Sequence, residues 1–336
     1  MIPRTAVLQH TPPWQRALAQ AIQDPRELLR LLQLDQHLEI AKDPAAQQFP
    51  LRVPRGFAAR MRVGDPHDPL LRQVLPLDAE GRPAAGFSHD PLAEQGAMPV
   101  PGLLHKYQGR VLLTLTGACA IHCRYCFRRH FPYSEANPAT SHWEASLDYI
   151  RRHSDIEEVL LSGGDPLSLS DRRLGPLVRE LAAIPHLKRL RIHSRLPVVL
   201  PERVNGDLLA WLSDCRLTRV LVIHANHARE LDEPVHQALS EVRNTGTHLL
   251  NQAVLLRGVN DTVTALAELS TALIDTGVQP YYLHLLDRVA GTAHFEVPEA
   301  EALTLLRALQ ACLPGYLVPR LAREEAGATS KHWLQP

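Results

Sequence analysis

The sequence predicts an α/β protein: a partial or full parallel (β/α)6 barrel with a helical N-terminal extension and a short C-terminal tail. Three observations predict it. Six short runs rich in Leu and β-branched residues recur from Arg110 onward, each followed by a stretch of amphipathic helical spacing. Strands alternating with helices imply a parallel sheet, and right-handed crossovers curl such a sheet. The chemically unusual residues also fall just after the strand runs, where a barrel keeps its active site. An open doubly wound sheet is the alternative, but no GxGxxG follows the first strand, which weakens a dinucleotide-binding reading.

The strand runs are RVLLTLT (110–116), EEVLLSG (157–163), KRLRIHS (188–194), RVLVIHA (219–225), HLLNQAVLLRG (248–258) and PYYLHLL (280–286). Helical patterns lie near 142–153, 171–184, 202–213, 232–245, 261–276 and 298–311. The first hundred residues differ. Residues 14–34 have helical spacing interrupted at Pro25, with Asp24 placed to start a second helix. From Phe49 to Pro101 the chain is rich in proline and lacks periodicity. The expected division is 1–100 as a helical and wrapping region, 101–312 as the barrel and 313–336 as a tail.

The chain has 336 residues, with 36 basic and 36 acidic side chains. That length supports one large barrel or two domains. A balanced charge gives no general attraction to nucleic acid or to an anionic membrane. No stretch has the length and apolarity of a membrane span, and the first residues lack the layout of a signal peptide. The expectation is a cytoplasmic protein. Three of the five cysteines crowd into eight positions, which favours metal or redox chemistry over a disulfide scaffold. Cys215 and Cys312 sit in apolar helical contexts and read as plain buried residues.

The crowded segment is TGACAIHCRYCFRRH, with Cys119, Cys123 and Cys126 spaced C-x3-C-x2-C. Three thiolates from one loop can grip three irons of a [4Fe–4S] cube and leave the fourth iron open. That open iron can chelate the amino and carboxyl groups of S-adenosylmethionine beside an electron source. Two plainer readings stand beside this one. Zinc would need a fourth ligand, for which His122 or His130 is available. A redox pair would use Cys123 and Cys126 and leave Cys119 idle. After the second strand comes SGGDPL, where two glycines let backbone approach a ligand and N–H groups could hold it. An ordinary tight turn is the plain alternative.

The triad resembles the radical S-adenosylmethionine superfamily, whose members share this spacing and a partial (β/α)6 barrel. In that superfamily a matching turn contacts the methionine amino group, which implicates Ser162, Gly163, Gly164 and Asp165. Gln252, on the fifth strand run, is a further candidate. The resemblance narrows with six segments in order: HKYQGRVLLTLTGACAIHCRYCFRRHF, LLSGGDPLSLSD, IHSRLPVVLPERV, HANHARE, NQAVLLRGVND and PYYLHLLD. They resemble the lysine 2,3-aminomutases from about Asp68 to Asp287. Such enzymes also use pyridoxal phosphate, whose imine π system stabilises the radical that carries an amino group from Cα to Cβ. The resemblance implies Lys331 as the lysine that holds pyridoxal phosphate. It implies Lys106, Tyr107 and Arg110 as further contacts to that cofactor, with Arg110 on the phosphate. It also implies Arg128 on the substrate carboxylate and Asp287 on the distal amine. From the residues alone, Lys331 is a solvated tail lysine, Arg110 a surface charge, Arg128 part of a basic patch and Asp287 a helix cap.

The sequence departs from the longer family members in its shorter C-terminal region and its reduced glycine run before Lys331. It also lacks an obvious second amine-binding aspartate, with LVPRLAREEAG in that place and Glu324 or Glu325 as possible substitutes. The shortened pattern resembles a bacterial subgroup that makes (R)-β-lysine from L-α-lysine for modification of elongation factor P, with a separate ligase. That resemblance implies an isomerase with a [4Fe–4S] cluster, S-adenosylmethionine and pyridoxal phosphate, fed by flavodoxin or ferredoxin. An aminomutase for another amino acid such as glutamate, and a non-catalytic zinc module docking a translation factor, are the rival readings.

Overall fold

The computed structural model describes residues 11–35, 49–133 and 143–335. The first ten residues, part of the signal-peptide reading, lie outside this set, as do 36–48 of the wrapping region. One sheet of nine strands runs in chain order. The strands are β1 (Leu103–Tyr107), β2 (Arg110–Thr114), β3 (Glu158–Ser162), β4 (Arg189–Ser194), β5 (Thr218–Ile223), β6 (His248–Val254), β7 (Gln279–His284), β8 (Arg320–Arg323) and β9 (His332–Trp333). β2 to β8 are parallel neighbours, while β1 and β9 add antiparallel edges. The two edges do not pair, so this is a partial barrel.

The six expected strand–helix units are all present. Their helices span Glu144–Arg152, Asp171–Ala183, Gly206–Asp214, Glu233–Asn244, Val263–Asp275 and Glu299–Cys312. Asn205, Asp232 and Thr262 cap three of these helices by accepting first-turn N–H bonds. The N-terminal pattern divides as expected into Pro13–Ala19 and Pro25–Leu31, and Asp24 caps the second. Two features differ. Residues 320–333 are not a free tail: they extend the sheet with β8 and β9. A four-residue strand is too short to show periodicity in sequence. Residues ahead of Arg110 form β1, which turns back through Gly109 at φ 74°.

The strands are two-faced. On β4, Leu190, Ile192 and Ser194 are buried under the helices, while Arg189, Arg191 and His193 line a central cavity. The same alternation sends Glu158, Leu160 and Ser162 of β3, and Leu250, Gln252 and Val254 of β6, into the cavity. A barrel interior rich in Arg, Glu, His and Gln is built to hold polar ligands rather than to be filled by side chains. Trp14, Ile22 and Phe57 of the wrapping region join the barrel's own apolar core at no more than 2% exposure. That packing carries Gln73, Glu80 and Glu94 to the site. Cys215 is buried as expected, but Cys312 is exposed at the end of its helix, a correction to its reading. Among the described residues no helix is long and apolar enough to cross a membrane.

Candidate active site

A cavity of about 1150 Å³ runs through the barrel. It exceeds the range of roughly 300–1,000 Å³ usual for one small ligand. Cys119, Cys123 and Cys126 line one part of it; Lys331, Arg110 and Arg320 line another; Arg128, Asp287 and Gln252 also face it.

The cysteine loop follows β2 and lies against the SGGD turn after β3. The Gly164 and Asp165 N–H groups donate to the carbonyls of Thr116 (2.6 Å) and Ala118 (2.8 Å). This corrects the idea that those N–H groups stay open for a ligand. The glycines are needed for another reason. A Cβ on Gly163, whose φ is 122°, would lie 2.6 Å from Thr116 O, and one on Gly164 would lie 2.6 Å from Ala118 O. The Asp165 carboxylate is likewise occupied. It accepts from Leu167 N, Ser194 Oγ, Arg195 N and Leu196 N, and so ties β3 to the β4 loop. Ser162, Gly163, Gly164 and part of Asp165 still line the cavity, although the Asp165 carboxylate is spent on these bonds.

The three thiols crowd one another. Burial and then the neighbouring Cys126 push Cys119 well up, and burial and then Cys123 push Cys126 up to about 11. Such a group becomes stable as thiolates only when cations sit among them; among the described residues no three His, Cys, Asp or Glu side chains are arranged to hold one metal ion, so the thiols are not gathered as a single-ion site. His122 and His130 each spend one ring nitrogen on a backbone carbonyl. His122 Nδ1 donates to Pro50 O (2.8 Å), and its ring stacks on Phe49. His130 Nε2 donates to Ala290 O (3.1 Å), and its ring stacks on His89. A bond from one ring nitrogen leaves the other able to ligate, so it is the arrangement of the side chains, with no three His, Cys, Asp or Glu gathered around one ion among the described residues, that disfavours a closed zinc site. Arg195 was not singled out from sequence. Its Nη1 donates to Cys123 Sγ (2.7 Å) and to Tyr125 Oη (2.7 Å), and its Nη2 donates to Gln73 (2.6 Å) and Glu230 (2.8 Å). Asn226 completes this buried set through Tyr125 and Gln73.

Lys331 is no solvated tail residue. Its ammonium donates to Glu324 Oε2 at 2.5 Å and lies 5.9 Å from the Tyr282 ring centre. Glu324 also takes Lys106 Nζ at 3.2 Å. Burial would raise the Glu324 carboxyl, but Lys331 and Lys106 outweigh it and hold it at about 2. Glu325 instead points outward to Arg323 and His332, so the structure separates the two glutamates. Asp287 is pushed up to about 7, first by burial and then by the Glu324 charge.

Lys106 sits between two carboxylates, Glu94 and Glu324, rather than beside Tyr107 and Arg110. The latter two pack together, with the guanidinium 4.5 Å from the ring centre. Among the described residues neither Arg110 nor Arg320 has a carboxylate partner, so both remain available to a phosphate. Three imidazoles also face the cavity. Burial lowers His224 and His284 to about 3 and His193 well down, so all three stay neutral near pH 7. Gln252 Nε2 donates to His224 Nε2 (2.9 Å), whereas His193 Nε2 is buried without a partner. A buried unpaired polar atom in a cavity asks for a ligand. Arg128 is held by Glu94 through Nε (2.7 Å) and Nη2 (2.9 Å) and reaches Ser162 Oγ through Nη1 (3.2 Å).

No family model matches the chain. Individual relatives do. An L-lysine 2,3-aminomutase of Escherichia coli is 51% identical over 95% of this chain and 93% of its own length. One of Haemophilus influenzae is 46% identical over 98% of each chain. One of Clostridium subterminale is 34% identical over 96% of this chain and 78% of its own length. Identity of this extent, over a barrel whose cavity joins the cysteine triad to Lys331, shows that the chain belongs to the lysine 2,3-aminomutase family.

Proposed function

We propose that this isomerase converts L-α-lysine to (R)-β-lysine, using a [4Fe–4S] cluster, S-adenosylmethionine and pyridoxal phosphate. One observation carries the reading: a single cavity joins a cysteine triad, a lysine in ion-pair contact with a carboxylate, and cationic and anionic anchors. The cluster with S-adenosylmethionine supplies a 5′-deoxyadenosyl radical when bound, and pyridoxal phosphate supplies a conjugated ring that stabilises an unpaired electron. Cys119, Cys123 and Cys126 hold the cluster, with Arg195 donating to the Cys123 sulfur. Ser162, Gly163 and Gly164, with Gln252, form the wall beside it. Lys331 anchors pyridoxal phosphate, and Arg110 with Tyr107 and Arg320 receives its phosphate.

Arg128 receives the substrate carboxylate. Glu324 and Asp287 receive the distal ammonium, so a long cationic side chain is selected over the acidic chain of glutamate. Lys106 neutralises the carboxylates rather than touching the phosphate. The buried neutral imidazoles keep further positive charge out of the barrel, and its walls keep water from a reactive radical. The product is taken to supply β-lysine to a ligase that modifies elongation factor P, with flavodoxin or ferredoxin as electron donor in the cytoplasm. The match to L-lysine 2,3-aminomutases over nearly their whole length supports the lysine chemistry; the downstream placement rests on the resemblance of the shortened pattern.

The test is an anaerobic assay of reconstituted protein with S-adenosylmethionine, pyridoxal phosphate, reductant and L-lysine, with β-lysine read by chromatography. Wild type should form β-lysine. Cys126→Ala and Lys331→Ala should fall below about a thousandth of that rate, as removal of a reacting group does. No β-lysine from protein loaded with both cofactors would rule out free lysine as the substrate.

A further inference from the structure

Glu94 belongs to the wrapping segment, ahead of every motif in the barrel sequence, yet its carboxylate lies in the cavity at 4% exposure. The segment is pinned there. Ser88 exchanges backbone hydrogen bonds with Arg288 and Ala290, just beyond Asp287. The Glu94 N–H donates to Asp90 Oδ1 at 3.1 Å. Ala93 holds a left-handed φ of 48°, a conformation a non-glycine residue keeps only when its surroundings enforce it. Arg128 is stacked near Phe127 and Phe131, at 4.8 and 5.8 Å from their ring centres.

A guanidinium offers two edges to carboxylates, one through Nε and Nη2 and one through Nη1 and Nη2. Glu94 occupies the first edge with two short bonds. The second edge carries only longer contacts from Nη1, to Ser162 Oγ at 3.2 Å and Gly163 O at 3.4 Å. We propose that Glu94 is the positioning residue of the carboxylate subsite: it grips Arg128 by one edge and presents the other to the α-carboxylate of the substrate. This rests on the reading of Arg128 as the carboxylate anchor. Glu94 also takes Lys106 at 3.1 Å, and Lys106 reaches Glu324. The chain of alternating charge Arg128–Glu94–Lys106–Glu324–Lys331 therefore ties the carboxylate end of the site to the amine end. Burial would keep Glu94 neutral, but Arg128 and Lys106 hold it ionised, so the fork stays formed at working pH.

The test uses protein loaded with cluster and pyridoxal phosphate but without S-adenosylmethionine, so that no turnover occurs. L-lysine and 1,5-diaminopentane, which is lysine without its carboxylate, are titrated while the absorbance of the bound cofactor is followed. Glu94→Gln should weaken L-lysine by about tenfold or more and diaminopentane by less than about twofold, since only the former uses the fork. Glu94→Asp, which keeps the charge, should recover part of the loss. In an Arg128→Lys background Glu94→Gln should add little. Equal weakening of both ligands would reduce Glu94 to a structural role, and tighter L-lysine binding would make it a competitor for Arg128; either overturns the proposal. Arg128→Lys with no selective effect on L-lysine would remove the carboxylate subsite itself. Iron content and thermal midpoint of Glu94→Gln report whether it folds, and if it does not, Glu94→Asp carries the comparison alone.

Discussion

The cysteine end of the cavity and the Lys331 end are built by opposite means. The first is local. Three cysteines come from one loop after β2, and that loop is locked by backbone hydrogen bonds to a glycine turn after β3. The second is assembled at long range. Glu94, Lys106, Glu324 and Lys331 come from the wrapping segment, β1, the residue after β8 and the residue before β9, and ion pairs hold them together, with Asp287 from the loop after β7 facing the same cavity. A backbone-locked loop is fixed in shape and sensitive to volume. A charge-held cluster can exchange partners, as it must when a substrate ammonium arrives.

That contrast can be broken by experiment. The largest effect should separate the two neighbouring glutamates. Glu324→Gln removes the shared partner of Lys106 and Lys331 and should raise KM for L-lysine about 10–100-fold, as loss of a buried charge-assisted pair does. Glu325→Gln, at the surface, should change it by less than about twofold. Equal effects would mean that the charge chain does not define the amine end.

A smaller effect is expected from volume at the other end. Gly164→Ala forces a methyl against the Ala118 carbonyl and should cost about 1–3 kcal/mol, read as a lower thermal midpoint. It should also reduce iron loading while leaving pyridoxal phosphate binding intact. Loss of both cofactors together would show that the two ends are not independent.

The smallest effect is a pH dependence. Asp287 sits at about 7 in the fold, raised above its usual 3.8 by burial and by Glu324. Between those values the folded chain holds a proton that the unfolded chain has released. The contribution of this group to stability is therefore full below about 4 and is lost as pH rises through about 7. A cation prefers the ionised form, so L-lysine binding should tighten as pH rises through about 7, by up to about tenfold per unit below it. Asp287→Asn should remove that inflection from the binding curve.

Legibility in the sequence followed the same divide. The strand–helix rhythm placed all six units, because strands and helices of five or more residues impose their period on the chain. The triad was legible because connectivity alone brings its members together. The glycines of the SGGD turn were legible as special, but not the reason: they admit the cysteine loop's carbonyls rather than a ligand. Lys331 stood out only by resemblance, since nothing in GATSK distinguishes it from a surface tail. Arg195, Glu94 and the choice of Glu324 over Glu325 carried no periodic or spacing signal. Their roles depend on which strands become neighbours.

By itself, then, the sequence determined the alternating architecture, the loop that gathers three cysteines and the family to which the ordered motifs point. Those are properties of residues close along the chain, where spacing is already geometry. The tertiary structure alone decided that Arg320–Arg323 and His332–Trp333 join the sheet, that Glu94 and Glu324 enter the cavity, and that Arg195 meets Cys123. Arg195 meets Cys123 across 72 positions, Glu94 meets Arg128 across 34 and Glu324 meets Lys106 across 218. Such contacts are fixed by the packing of strands into a common barrel, which the order of residues does not display.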